Sequence, residues 1–200
     1  MNWQDRINNM VRVTGFPVNM HVCGTEINMH VDPDDRAWGY WIMGNDYRVR
    51  SGYHGGYPNT YLRRIRALFP DKSAALHVFS GMVDQDAFPG ETVDINAELG
   101  PTYVDDAQTL AKVPLETYDI FLVDPPYTGE DADHYGVTMV SRVKVMRTLA
   151  RRARPGSHVV WLDQASVMYR KDEWNIEASI GVERSTNHRF RCVKVFRRKP

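Results

Sequence analysis

Two hundred residues, 42% of them hydrophobic, suffice for one globular domain with a full core and leave little room for a second. No run of eighteen apolar residues exists, and polar residues fill the first positions where a signal peptide would carry its apolar stretch, so the expectation is a soluble, cytoplasmic protein with no membrane partner. Cys23 and Cys192 stand too far apart to read as a disulfide framework or a zinc quartet, and the formal net charge of zero conceals a segregation of acids and bases along the chain.

In chain order, Trp3, Ile7, Met10 and Val11 recur at helical spacing and predict a short amphipathic helix over residues 2–12 that packs as a lid or flank. Residues 14–56 break into Gly, Pro, Asn and Asp punctuation around an aromatic cluster of Trp38, Tyr40, Trp41, Tyr47, Tyr53 and Tyr57. Within it, residues 38–43 read as a hairpin strand whose aromatics either fill a satellite core or stack on bases. His21, Cys23 and His30 match no standard zinc spacing, and no metal is expected there. A turn at Gly55, Gly56, Tyr57 and Pro58 leads to Asn59, a candidate cap for a helix through Tyr61, Leu62, Ile65, Leu68 and Phe69 that Pro70 stops.

Four short strands follow. Residues 74–79 are apolar and end in Phe79-Ser80-Gly81-Met82, where a glycine permits close backbone approach to a ligand. Residues 91–95 end in Asp94-Ile95, and residues 102–107 end in Asp105-Asp106-Ala107. The link between the first two is near the minimum for a parallel crossover, so its helix is expected to be stunted or replaced by a loop. The fourth, residues 118–123, delivers Asp124-Pro125-Pro126-Tyr127 to a strand end, the place where open α/β sheets collect their ligands. Two prolines fix φ and remove donors there. Asp124 and the Pro125 carbonyl can then both accept from one exocyclic amine, with the Tyr127 ring stacked on its bearer.

Residues 128–136 are polar and acidic, as in a segment that closes over substrate, with His134 and Tyr135 in reach of a target. Met139, Val143, Met146 and Ala150 then mark the apolar face of a helix. Its other face carries Arg142, Lys144, Arg147, Arg151, Arg152 and Arg154, which with the bases of residues 184–199 form a candidate basic face for phosphates. A Pro155-Gly156 turn leads to a fifth strand at 158–162, and residues 175–183 and 189–197 read as an antiparallel hairpin.

The tetrapeptide Asp124-Pro125-Pro126-Tyr127 resembles the catalytic motif of S-adenosylmethionine-dependent amino methyltransferases, above all those that methylate the exocyclic amine of adenine in DNA. The likeness extends over residues 55–197: a Gly-Gly turn and a helix ending in Leu-Phe-Pro before the first strand, with Tyr57 where the family carries lysine, then the glycine turn, two strand-end acids, the Pro-Gly turn and the terminal hairpin. It implies a Rossmann-like α/β class I methyltransferase fold, a mostly parallel sheet closed by an antiparallel C-terminal hairpin. The chain would be a single domain, with residues 1–56 as an aromatic-rich extension and 57–200 as the core.

By the same resemblance, Asp124, Pro125, Pro126 and Tyr127 are catalytic. S-adenosylmethionine is bound by Tyr57, Phe79, Ser80, Gly81, Met82, Asp94, Ile95, Asp106, Ala107 and Asp124, with Asp94 on the ribose, Asp106 on the adenine amine and Asp105 as its alternative. The implied substrate is adenine in DNA. The alternatives are an amine of guanine or adenine in RNA, and a non-catalytic methyltransferase-like subunit that binds nucleic acid or a partner. Neither cysteine follows a proline, which disfavours methylation at carbon 5 of cytosine. No interval is long enough for a separate target-recognition segment, so low sequence specificity, a partner subunit or an RNA substrate is expected.

Overall fold

The computed structural model describes residues 1–15, 29–43, 57–58, 60–127, 139–184 and 190–200. Helix α1 (Trp3–Thr14) starts where the Asn2 side chain accepts the Asp5 N–H and stops at Gly15, whose φ of 57° suits a residue without Cβ. Its apolar stripe of Trp3, Ile7 and Met10 is buried, and Arg6 on the same face forms a two-pronged ion pair with Asp71, at 2.6 and 3.0 Å. That pair pins α1 to the segment after α2 (Tyr61–Leu68). Asn59 lies outside the described residues. The cap position of α2 is held by Thr60, without a side-chain hydrogen bond.

Among the described residues nine strands form one sheet: β1 (Met29–Val31), β2 (Ala37–Met43), β3 (Ala75–Val78), β4 (Glu91–Asp94), β5 (Tyr103–Val104), β6 (Ile120–Val123), β7 (His158–Asp163), β8 (Trp174–Arg184) and β9 (Phe190–Arg198). Their spatial order is β1-β2-β8-β9-β7-β6-β3-β4-β5. From β3 the chain steps outward to β4 and β5, then returns to β6 on the other side of β3, all in parallel. β7 continues in parallel beside β6, and the β8–β9 hairpin inserts β9 antiparallel to β7. A parallel sheet with this reversal and this closing hairpin is the class I methyltransferase arrangement that the sequence implied. The reversal opens a crevice between the ends of β3 and β6.

Alternation along the central strands feeds two cores. Ile120, Leu122, Val160 and Leu162 face the layer of α1 and α2. Phe121, Val123, Val159 and Trp161 face the layer of α3 (Arg142–Arg152) and the residues from Ala107 to Tyr118. No helix joins β3 to β4, as the short link required, and a single short 3-10 helix (Ala97–Leu99) joins β4 to β5.

The strand expected at 38–43 is β2, but its hairpin partner β1 and its parallel pairing with β8 extend the main sheet. Trp41 is buried in the core whereas Trp38 is exposed, and Tyr47 and Tyr53 lie outside the described residues. The face of α3 is shifted from the expected one. The helix starts only at Arg142, with Ser141 as cap, so Met139 precedes it and is exposed, Val143 is half-buried, and Val145 and Leu149 join Met146 and Ala150 in the core.

The basic face is also reduced. Arg142 pairs with Asp163, Arg152 donates to the carbonyls of Leu110 and Val113, and Arg198 donates to those of Ala150 and Glu173. These arginines close chain ends that lack ladder partners. Lys144, Arg147, Arg151 and Arg154 remain exposed. No helix among the described residues is long and apolar enough to cross a membrane.

Candidate active site

Register places the predicted site residues along one edge. Val78 of β3 pairs with Val123 of β6 and with Val93 of β4, so Phe79, Asp124 and Asp94 stand side by side at the carboxyl ends. Asp94 pairs with Val104, which sets Asp105 and Asp106 just beyond β5. The reversal of strand order falls between Phe79 and Asp124.

The turn after β3 is tightly wound, with φ of 60° at Phe79 and 50° at Gly81. A left-handed phenylalanine is costly, and such strain is retained where the surroundings impose it. Here the Ser80 N–H donates to the Val93 carbonyl and the Gly81 N–H donates to Asp94 Oδ2 at 2.9 Å. The other Asp94 oxygen takes the Asn96 N–H at 3.0 Å. Each carboxylate oxygen has a second lone pair, so this half-buried acid holds the turn and still has capacity to accept from hydroxyls. Ser80 is 5% exposed, and its Oγ is buried with no hydrogen-bond partner. Met82 and Ile95 project from the same edge, 67% and 57% exposed, as apolar surface beside a polar turn. A nucleoside cofactor needs this set: close backbone, hydroxyl acceptor and apolar cover.

Beyond β5 the two acids differ in what they hold. Asp105 takes backbone N–H groups on both oxygens, from Asp106 and Lys112. Asp106 takes the Gln108 N–H on Oδ1 at 2.8 Å, and its Oδ2 has only a long contact of 3.4 Å from the Gln108 amide. Asp106 therefore keeps more acceptor capacity than Asp105. Ala107 is buried in the core below.

At the end of β6, Pro125 is buried, while Asp124, Pro126 and Tyr127 are half-buried. The Tyr127 hydroxyl donates to Asp124 Oδ1. The turn is anchored from below: Arg142 reaches Asp163 through Nε at 2.5 Å and Nη2 at 3.1 Å, and the same Nη2 donates to the Tyr127 carbonyl at 3.1 Å and, at 3.4 Å, to that of Pro126. Asp163 is fully buried at the end of β7 and also accepts from Trp161 Nε1. No described residue donates to the Pro125 carbonyl.

Two further tyrosines complete the wall. Tyr57 stacks on Tyr61 with ring centroids 5.2 Å apart. Burial drives both phenols well above 10, and the Asp124 carboxylate adds to the rise. Tyr127 is raised in the same way, by burial first and Asp124 second, while Arg191 opposes it. All three are neutral hydroxyls. Gly55, Gly56, Asn59, His134 and Tyr135 lie outside the described residues, as do His21 and Cys23.

Sequence reasoning missed Tyr61, Arg142, Asp163 and Arg191. Tyr61 carries the signature of an ordinary core residue, and the arginines sit in a basic stretch that reads as solvent-facing. Only Asp163, an acid closing an apolar strand, gave a usable sign. A cleft of about 620 Å³ near Asp34, Trp174 and Arg197 lies at the amino ends of β2 and β8, away from this edge.

No family model matches the sequence, and no curated protein does. Among solved structures the chain resembles TrmN from Thermus thermophilus at 14% identity and a TM-score of 0.47, over 70% of this chain and about half, 52%, of that one. It resembles the N-methyltransferase NodS from Bradyrhizobium japonicum at 13% identity and a TM-score of 0.48, over 70% of this chain and 94% of that one. It also resembles 1,6-didemethyltoxoflavin-N1-methyltransferase from Burkholderia thailandensis, solved with S-adenosylhomocysteine, at 12% identity and a TM-score of 0.48, over 71% and 80%. Likeness at this level bears on neither chemistry nor substrate.

Proposed function

We propose that the chain is an S-adenosylmethionine-dependent methyltransferase acting on the exocyclic amine of adenine in DNA. The observation that carries the reading is the placement of Asp124-Pro125-Pro126-Tyr127 directly across the strand-order reversal from a turn whose Gly81 N–H is held by Asp94. Phe79, Ser80, Gly81, Met82, Asp94, Ile95 and Asp106 would hold the cofactor, with Tyr57 and Ala107 as flanking contacts. When bound, it supplies an electrophilic methyl group on a sulfonium.

The chain's own task is to make an aromatic amine nucleophilic. That lone pair is delocalised into the ring, and acceptors that favour a tetrahedral nitrogen draw it back. Asp124 and the Pro125 carbonyl are such acceptors, fixed by two prolines and by Arg142 on the carbonyls that follow. Positioning supplies much of the remaining acceleration. Tyr127 lies beside the acceptors as a neutral aromatic able to replace a stacking partner of an extruded base.

An RNA amine is the second reading. It is favoured by the lack of an interval long enough for a separate target-recognition segment. Incubation with labelled cofactor and a panel of double-stranded DNA, single-stranded DNA and RNA, followed by mass spectrometry of the nucleosides, tests both. The expected product is N(6)-methyladenine in DNA. A methylated guanine in RNA would keep the amine chemistry and overturn the adenine assignment.

A further inference from the structure

β9 brings to the site edge one residue that the amine chemistry above does not use. Arg191 pairs with Val182 of β8, and its neighbour Cys192 pairs with Asp163, the last residue of β7. Because β9 runs against β6 and β7, its beginning lies at the edge where they end. Arg191 is 4% exposed, its Cζ sits 4.8 Å from the centroid of the Tyr127 ring, and its Nε and Nη1 are buried with no hydrogen-bond partner. Other enclosed arginines are satisfied: Arg6 and Arg142 have carboxylates, and Arg152 has two carbonyls. A ring face offsets part of the desolvation of a guanidinium but leaves its donors unmet.

Its place in the sheet identifies what it meets. The glycine turn, Asp94 and Asp106 follow β3, β4 and β5 on one side of β6, whereas Arg191 lies on the other side, beyond β7. The catalytic turn divides them, and Tyr127 links the halves, with its hydroxyl on Asp124 and its ring beneath Arg191. The group that reaches Arg191 therefore belongs to the amine-bearing substrate and not to the cofactor. We infer that Arg191 binds a phosphate of the target nucleotide, so that the site takes a phosphorylated nucleotide in preference to a nucleoside. A buried guanidinium lacks a full negative charge and acceptor oxygens, and a phosphate provides both, whereas the ring nitrogens of a base are neutral. This rests on the amine-methyltransferase reading. A nucleic-acid strand and a free mononucleotide present the same group.

Binding of adenosine, AMP and a single-stranded oligodeoxyadenylate is measured for the unmutated protein, Arg191→Gln and Arg191→Lys, with S-adenosylmethionine affinity recorded in parallel. The unmutated protein is expected to bind at least one phosphate-bearing probe tenfold or more tighter than adenosine. Arg191→Gln removes that preference while leaving adenosine within twofold, and Arg191→Lys restores part of it. Loss for the oligonucleotide alone assigns a strand phosphate, and loss for AMP as well assigns the nucleotide's own. Equal affinity of the unmutated protein for all three probes, which needs no variant to fold, overturns the inference. So does a phosphate preference that survives Arg191→Gln. A retained, Arg191-dependent preference without cofactor binding would instead sink the methyltransferase reading and leave the phosphate site standing.

Discussion

Asp124→Ala is expected to lower the rate of methyl transfer at least about 10²- to 10³-fold, the scale for removing one preorganised group that acts on developing charge. Cofactor affinity should fall far less than the rate, because the side chain acts on the amine as it reacts and only marginally on the cofactor. The geometry separates these outcomes. Asp124 lies across the crevice from the Phe79–Gly81 turn, whose own hydrogen bonds run from Ser80 and Gly81 to Val93 and Asp94. The substitution also strips the Tyr127 hydroxyl of its acceptor, while Arg142 continues to hold the carbonyls of the turn. Single-turnover transfer measured beside calorimetric cofactor binding gives both numbers. Full activity in Asp124→Ala would remove the catalytic role from this motif.

The second large effect is on stability against pH. His77 is fully buried in β3, with Nε2 on the Phe88 carbonyl at 2.9 Å and no partner at Nδ1. Burial lowers its pKa from 6.5 to about 4, against the smaller opposing effect of that hydrogen bond. A folded-state pKa below the unfolded one means that the contribution is complete above about pH 6.5 and is lost as the pH falls toward 4, where only the unfolded chain takes the proton. The full loss is about 3 kcal/mol. His158, also depressed by burial although Glu177 opposes the shift, acts in the same direction. Urea unfolding at pH 7.5 and pH 5 should show the fall, and His77→Gln should make it shallower. An unchanged slope in His77→Gln would show that this imidazole is not the group responsible.

The central strands and the position of the Asp124–Tyr127 turn at a strand end were legible because their signals are local. Ile120 to Val123 are apolar on both faces, as a buried parallel strand requires, and two prolines after an acid admit few backbone shapes. The strand-end acid Asp94 was legible for the same reason. The pairing of β2 with β8 was not, since parallel partners far apart in sequence leave no turn to announce them. Arginine was the least legible residue type. Arg142, Arg147, Arg191 and Arg198 look alike in sequence, yet one anchors the Asp124–Tyr127 turn, one is exposed, one is buried against Tyr127 and one closes the end of α3. A long cationic side chain takes its role from whatever carbonyl, carboxylate or ring the fold brings beside it, and that is tertiary information.

The most direct test of the central claim is calorimetry of S-adenosylmethionine with the unmutated protein and with Asp94→Ala. Saturable binding to the unmutated chain is expected. For Asp94→Ala the expected loss is about 1.5 to 3 kcal/mol, the scale of hydrogen bonds to a charged group, because in the proposed site this carboxylate receives the ligand's hydroxyls, and it also fixes the Gly81 turn. An absence of binding to the unmutated protein would contradict the cofactor site, and with it the methyltransferase reading.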